Sequence, residues 1–188
     1  TKSEFKIVDT VHDMLHHLYN GPHSCMRWDD YTHERHPYRC YDPKYGWRMA
    51  VRMEGESTVG RALCMIDSER GNYYVRTYKK CPNGGYSHAD EQLEAWLHEQ
   101  GFKKQHCWTG EKLLLIKPGF NGCDFVVPYI DGGTQRVSDG GTHLVIDEDG
   151  EYDCTNTDGT YDDGGDCRCS HCGDRMHEDD GYWSGTYV

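Results

Sequence analysis

The sequence has no uninterrupted apolar run approaching the ~18 residues that read as a membrane span, so no transmembrane helix is expected. Nor is there an apolar stretch behind Thr1-Lys2-Ser3-Glu4-Phe5, so no signal peptide is expected; loss of an initiator Met or trimming would each leave such a start. No block of Lys and Arg occurs, which argues against a phosphate-backbone binder and so against direct nucleic-acid contact. No repeat recurs at a fixed period. Apolar residues make up 36% of the chain, a lean share, so a core must draw on its 5 Trp and 14 Tyr. At 188 residues, one ordinary domain with a small appendage is expected.

What the chain does have is an uneven distribution of charge. Residues 138–188 hold 14 acids and 2 bases, which equals the whole net charge of −12; residues 1–137 hold 18 of each. This pattern predicts a balanced globular body, residues 1–155, followed by an acidic Gly/Asp-rich linker and cysteine cluster, residues 156–188. Such a tail suits a protein partner with a basic surface, or a bound metal. Oligomeric state is left open.

Ten cysteines are present, six scattered (Cys25, Cys40, Cys64, Cys81, Cys107, Cys123) and four close together (Cys154, Cys167, Cys169, Cys172). A secreted disulfide scaffold is normally shorter and more evenly stapled. Scattered thiols with one cluster predict a reducing, cytoplasmic setting, of a cell or an infected host.

The periodicities predict an α+β fold with a mixed or antiparallel sheet, two main helices and a small zinc-knuckle-like tail. Val11, Met14, Leu15 and Leu18 share one face of a helix over 10–19, opened by Thr10 with Asp13 and stopped at Asn20-Gly21-Pro22. Residues 22–45 have no period. Strands are expected over 47–53, 59–66 and 73–78 as an antiparallel meander, then a loop over 79–86. Ser87 with Asp90 predicts the start of a second helix, with Ala89, Leu93, Trp96 and Leu97 on its apolar face. Gly101 and Phe102 would close it in a Schellman ending. Further strands are expected over 112–117, 125–130 and 144–147, and a hairpin turn at Glu148-Asp149-Gly150 leads into 151–155.

The strongest chemical signal is Cys167-Arg168-Cys169-Ser170-His171-Cys172-Gly173. Cys169-x-x-Cys172-Gly has zinc-knuckle spacing, in which a tight turn aims two thiolates at one ion and Gly relieves its backbone. A second Cys-x-x-Cys is missing, so His177 is the expected third ligand and Cys167 the fourth, with Cys154 the alternative and His171 a further candidate. A chain continuing past Val188 would leave room for a second knuckle there. The competing reading is a redox or unligated pair. Other constellations favour plainer readings. The acids at 147–153 lack EF-hand order and fit a hairpin. His12 and His16 flank Asp13 where a zincin helix would carry Glu, and fit a solvated face. Cys25 could be a nucleophile with His88 or His143 as base, but fits a buried structural thiol better. Tyr73, Tyr74, Tyr78, Trp96 and Trp108 fit core and strand surface rather than a base-stacking platform.

Residues 47–117 carry a resemblance in their order of elements: the stretch from Ala50-Val51-Arg52-Met53 to Gly60-Arg61-Ala62-Leu63, then Tyr73-Tyr74-Val75-Arg76-Thr77-Tyr78, helix 87–100 and Gly101-Phe102-Lys103-Lys104. This succession resembles the GNAT acyltransferase family. The resemblance implies that acetyl-CoA would lie with its pyrophosphate on the backbone amides of Gly84, Gly85 and Tyr86, before a helix N-terminus. On it, Tyr78 or Glu69 would be the candidate proton carrier. The equivalent loop, Lys80-Cys81-Pro82-Asn83-Gly84-Gly85-Tyr86-Ser87, departs from the family's Arg/Gln-x-x-Gly-x-Gly/Ala pattern. Its glycines are adjacent, and Pro82 removes an amide donor. The trailing Cys-x-x-Cys-Gly also resembles small phage-encoded proteins. The expected function is a non-enzymatic, acidic, zinc-containing binding protein engaging or inhibiting a host or viral protein. A divergent GNAT-like acyltransferase and a structural or virion component are the alternatives.

Overall fold

A computed structural model describes residues 2–24, 32–82, 86–120, 124–128, 130 and 134–147, together with three two-residue strands at 167–168, 175–176 and 183–184. The chain is α+β, with sheets that are mostly antiparallel. It divides into two compact units, Thr1–Ser24 with Tyr41–His106, and Cys25–Cys40 with Cys107–Val188. The expected boundary at 155/156 lies outside the described residues.

The first unit is built on a seven-stranded sheet. Its strands are β1 (Ser3–Val8), β2 (Trp47–Glu54), β3 (Ser57–Ser68), β4 (Gly71–Tyr74), β5 (Tyr78–Lys80), β6 (Tyr86–His88) and β7 (Lys103–Lys104). The order β1-β2-β3-β4 is antiparallel throughout, and β7 adds parallel to β4 after a helical crossover. The far edge of β3 is shared: Cys64 and Met65 pair with Tyr74 and Tyr73 of β4, whereas Gly60 and Arg61 pair with Lys79 and Tyr78 of β5. Two residues separate Arg61 from Cys64, but three separate Tyr74 from Tyr78. One extra residue is therefore accommodated between β4 and β5. This bulge breaks the single strand expected over 73–78 and turns Tyr78 to the face opposite Tyr74. The loop expected over 79–86 is in part strand, since β5 and β6 pair antiparallel.

Helix α1 (Val11–Asn20) begins where its sequence predicts, with the Thr10 hydroxyl accepting the Asp13 N–H at 3.1 Å. Met14, Leu15 and Leu18 are buried, and His12 and His16 are exposed, as a solvated face requires. Helix α2 (Glu91–Glu99) starts later than expected: Asp90 rather than Ser87 is its N-cap, and Ser87 belongs to β6. The reason is tertiary, because the Asp90 carboxylate is fixed from β2 as well as from its own helix. The C-terminal ending follows the expected pattern. Phe102 N–H donates to Leu97 O, Gly101 N–H to His98 O, and Gly101 sits at φ 88°. Leu93, Leu97 and Phe102 pack on Ala50, Ala62, Cys64 and Tyr74, while Trp96 stacks on Phe5 at 5.5 Å.

In the second unit, β8 (Lys112–Leu114), β9 (Thr134–Val137) and β10 (His143–Asp147) form an antiparallel sheet in the order β8-β10-β9. Leu113, Leu144 and Ile146 are buried on it. β8 is shorter than the strand expected over 112–117. The described part of 125–130 is not a strand: the Val126 N–H donates to Ile116 O, and Val126, Val127 and Ile130 are buried from irregular backbone, with Pro128 unable to donate. Strands β11 (Cys167–Arg168), β12 (Arg175–Met176) and β13 (Trp183–Ser184) form a third, antiparallel sheet. The hairpin expected at 148–150 lies outside the described residues. No helix among the described residues is long and apolar enough to cross a membrane.

Candidate functional site

The best-defined polar site of the first unit gathers around the N-terminus of α2. Asp90 is 1% exposed. One of its carboxylate oxygens accepts the Leu93 N–H at 3.2 Å, and the other accepts Arg52 Nε at 2.8 Å from the facing strand β2. Arg52 also donates through Nη1 to Glu54 at 2.9 Å and to the Ser3 hydroxyl at 3.3 Å. The Asp90 N–H is taken by the Thr77 hydroxyl at 2.7 Å. Gly60, opposite Arg52 on β3, leaves the space that Asp90 occupies; a Cβ there would run into the Asp90 carboxylate.

This arrangement has a chemical meaning for the helix terminus. The N-terminal end of a helix attracts anions through its unpaired N–H groups and its dipole. At α2 that attraction is met by the chain's own carboxylate, with Glu91 and Glu94 adding negative charge to the first turn. An incoming pyrophosphate would meet carboxylates at this terminus. Of the residues the GNAT resemblance assigns, Gly84 and Gly85 lie outside the described residues, and Tyr86 is the first residue of β6. Glu69 and Tyr78 are not brought together. Glu69 is exposed in the turn after β3 and Tyr78 pairs with Arg61, eight positions back along that strand, roughly 25 Å.

A second polar pair links Tyr74 to α2. The Tyr74 hydroxyl lies 2.8 Å from His98 Nε2, and burial, aided by Glu94, pushes the phenol up to about 12, so it stays protonated at neutral pH. Cys64 is pushed up to about 12 by burial, and Cys40 is raised as well, so neither is poised as a thiolate nucleophile. Cys40, Cys64 and Cys81 are free thiols. Tyr73, Tyr74 and Trp108 are core residues and Trp96 and Tyr78 half-buried, in keeping with the plain reading of the aromatics.

His17, on the buried face of α1, lies with Nδ1 2.7 Å from the Thr58 hydroxyl. Desolvation, with Lys6 and His16 adding positive potential against a smaller opposing effect of Asp13, lowers its pKa from 6.5 to about 4. Between those values the unfolded chain takes up a proton that the native chain refuses. Stability is therefore full above pH 6.5 and falls as the pH drops towards 4, by up to about 3 kcal/mol from this group. Denaturant titrations at pH 7 and pH 4.5 should show that loss, and His17→Gln should remove most of the difference.

Among the described residues no group of three His, Cys, Asp or Glu side chains is arranged to hold a metal. Of the residues expected to bind zinc, Cys169, Cys172, His177, Cys154 and His171 lie outside the described residues, as does Cys25. Cys167 is in β11, opposite Met176. Arg52 and Arg61 belong to no motif in the sequence; the available signal is a strand that carries Arg among Ala, Val and Leu. No family model, curated protein or solved structure matches the chain.

Proposed function

We propose that the chain is a non-catalytic, acidic binding protein whose C-terminal 51 residues engage a basic surface on a protein partner and are stapled by zinc. The observation that carries this reading is the confinement of the whole net charge of −12 to residues 138–188. Complementary charge of this density speeds encounter with a basic surface and makes the complex salt-sensitive. The zinc part is supported by the register of β11 with β12. Cys167 pairs with Met176 and Arg168 with Arg175 in register, and Cys169 and Cys172 lie between these two strands in the sequence. With Cys167 in the first strand and His177 next after the second in sequence, the set would supply four ligands of the right kind; Cys154 is the alternative to Cys167. Zinc held there would supply folding energy to a segment with few apolar residues.

The test uses the full chain, immobilised, beside a variant with Asp158, Asp162, Asp163 and Asp166 changed to Asn. A basic protein should be retained from lysate at ~50 mM salt, released at ~500 mM and lost with the variant. Empty eluates, or equal retention by the variant, would refute the reading. Native mass spectrometry should show one zinc, absent after Cys169→Ser with Cys172→Ser. A second reading, acyl transfer, draws on the α2 crossover between parallel β4 and β7. An acetyl-CoA adduct in the same spectra would put it first.

A further inference from the structure

Two arginines are buried in the central strands of the first unit, and their surroundings differ. Arg52, 2% exposed on the α2 face, has Asp90 and Glu54 at 2.8 and 2.9 Å. Arg61, 6% exposed on the opposite face, has no carboxylate partner among the described residues. Of its five N–H donors one is used, Nη2 to the carbonyl of His23 at 3.3 Å, and Nε is buried with no hydrogen-bond partner among the described residues. A guanidinium does not lose its proton, so this position holds a desolvated positive charge with no counter-charge supplied by the described part of the fold.

The second observation is the bulge between β4 and β5. Regular alternation would put Tyr78 on the same face as Tyr74. The extra residue turns it over, and its ring lies 4.6 Å from the Arg61 guanidinium carbon. A ring over the guanidinium holds its position, and Nε and Nη1, which have no hydrogen-bond partner among the described residues, are the donors a planar or tetrahedral oxyanion would use. The neighbouring segment after α1, Gly21-Pro22-His23-Ser24, is drawn against the same strand. A Cβ on Gly21 would meet the Thr58 side chain at 3.1 Å, and Ser24 is buried. A buried arginine with a ring against it and no acid beside it among the described residues is an arrangement that costs stability unless an anion completes it.

The geometry points to Arg61 as the anchor of a binding site for a small oxyanion, the phosphate or carboxylate group of a ligand, on the sheet face that carries Thr58 and Tyr78. The site does not depend on the acidic tail or on zinc. It is also distinct from the α2 terminus, which the Asp90 carboxylate fills on the other face of the sheet.

The experiment is a proton–nitrogen NMR titration of the full chain. It follows the arginine Nε–H signals and the backbone amides of His23 and Tyr78, with inorganic phosphate, acetate and, at matched ionic strength, chloride as probes. The Arg61 Nε–H signal, identified by its loss in Arg61→Lys, should shift saturably with phosphate or acetate and stay in place with chloride. The responding probe identifies the class of ligand. In Arg61→Lys the His23 and Tyr78 amides should report binding at least about tenfold weaker, because an ammonium cannot offer the two-pronged edge. Tyr78→Leu, which leaves the guanidinium in place, should weaken it in the same direction. A shift that follows ionic strength whatever the anion, no saturable shift with either oxyanion, or undiminished binding by Arg61→Lys would overturn the proposal. Should Arg61→Lys not fold, a saturable shift of the His23 and Tyr78 amides of the unaltered chain with phosphate or acetate and not chloride supports the proposal, and its absence overturns it.

Discussion

Asp90→Ala is expected to destabilise the chain by about 3–5 kcal/mol, the cost of leaving a buried charge without its partner. Three losses coincide at this residue. Arg52, 3% exposed at its side chain, keeps Glu54, whose side chain is 40% exposed and therefore well solvated. The Leu93 N–H loses its cap, worth about 1 kcal/mol on its own. The space beside Gly60, shaped to the carboxylate, becomes a void. Asp90→Asn separates these contributions. An amide oxygen can still cap the helix, so Asn should recover about 1 kcal/mol while the stranded charge of Arg52 remains. Denaturant unfolding, read at the midpoint with the slope checked for constancy, measures both. A loss below about 1 kcal/mol for Asp90→Ala would mean that Arg52 finds another acceptor without strain, and the network would then have no stabilising role.

Gly46→Ala is the second large effect, about 2–4 kcal/mol, and its origin is steric rather than electrostatic. Gly46 ends the three-ten turn Pro43–Tyr45 at φ 94° and leads into Trp47, the first residue of β2, which is fully buried. Its N–H donates to Pro43 O, and its own carbonyl accepts the Ile66 N–H at 2.9 Å. A Cβ would stand 2.5 Å from Ile66 O and 2.6 Å from Met65 Sδ. The methionine can swing away, but the carbonyl belongs to β3 and cannot move without opening the sheet. Gly55 supplies the control: it has a similar left-handed backbone at φ 60°, yet nothing lies within 4 Å of a Cβ there. Gly55→Ala should therefore cost only the conformational part, about 1 kcal/mol. Thermal melts of the two variants should differ by several degrees. Equal melts would show that β3 yields more easily than its burial implies.

The parts of the fold visible in the sequence are those whose causes are local. Thr10 caps α1 from three residues away, and Gly101 with Phe102 closes α2 through a turn that a short pattern encodes. The start of α2 escapes such reading. Ser87 and Asp90 both suit a cap, and the choice falls to Asp90 because Arg52, 38 residues earlier, is buried opposite it. The bulge before Tyr78 is equally hidden, since Tyr73 to Tyr78 reads as one continuous strand and only the pairing with β3 exposes the extra residue. The alternation of Phe5 and Ile7 with Glu4 and Lys6 is present in the sequence, but no local signal says that this segment pairs with β2. For the same reason Arg61 reads as an ordinary strand residue. Its lack of an acid among the described residues is a property of three-dimensional neighbours, two of which, His23 and Tyr78, lie far from it in sequence.

The capping of α2 also bears on how the first unit comes apart. A nine-residue helix is too short to hold together alone in water, and its cap is anchored on β2 rather than within the helix. The helix can thus persist only while β2 and β3 are paired, and the sheet loses its buried counter-charge once the helix leaves. Opening of either therefore costs the other its partner, and the amides of Leu93 and of central β3 are expected to exchange through a common opening.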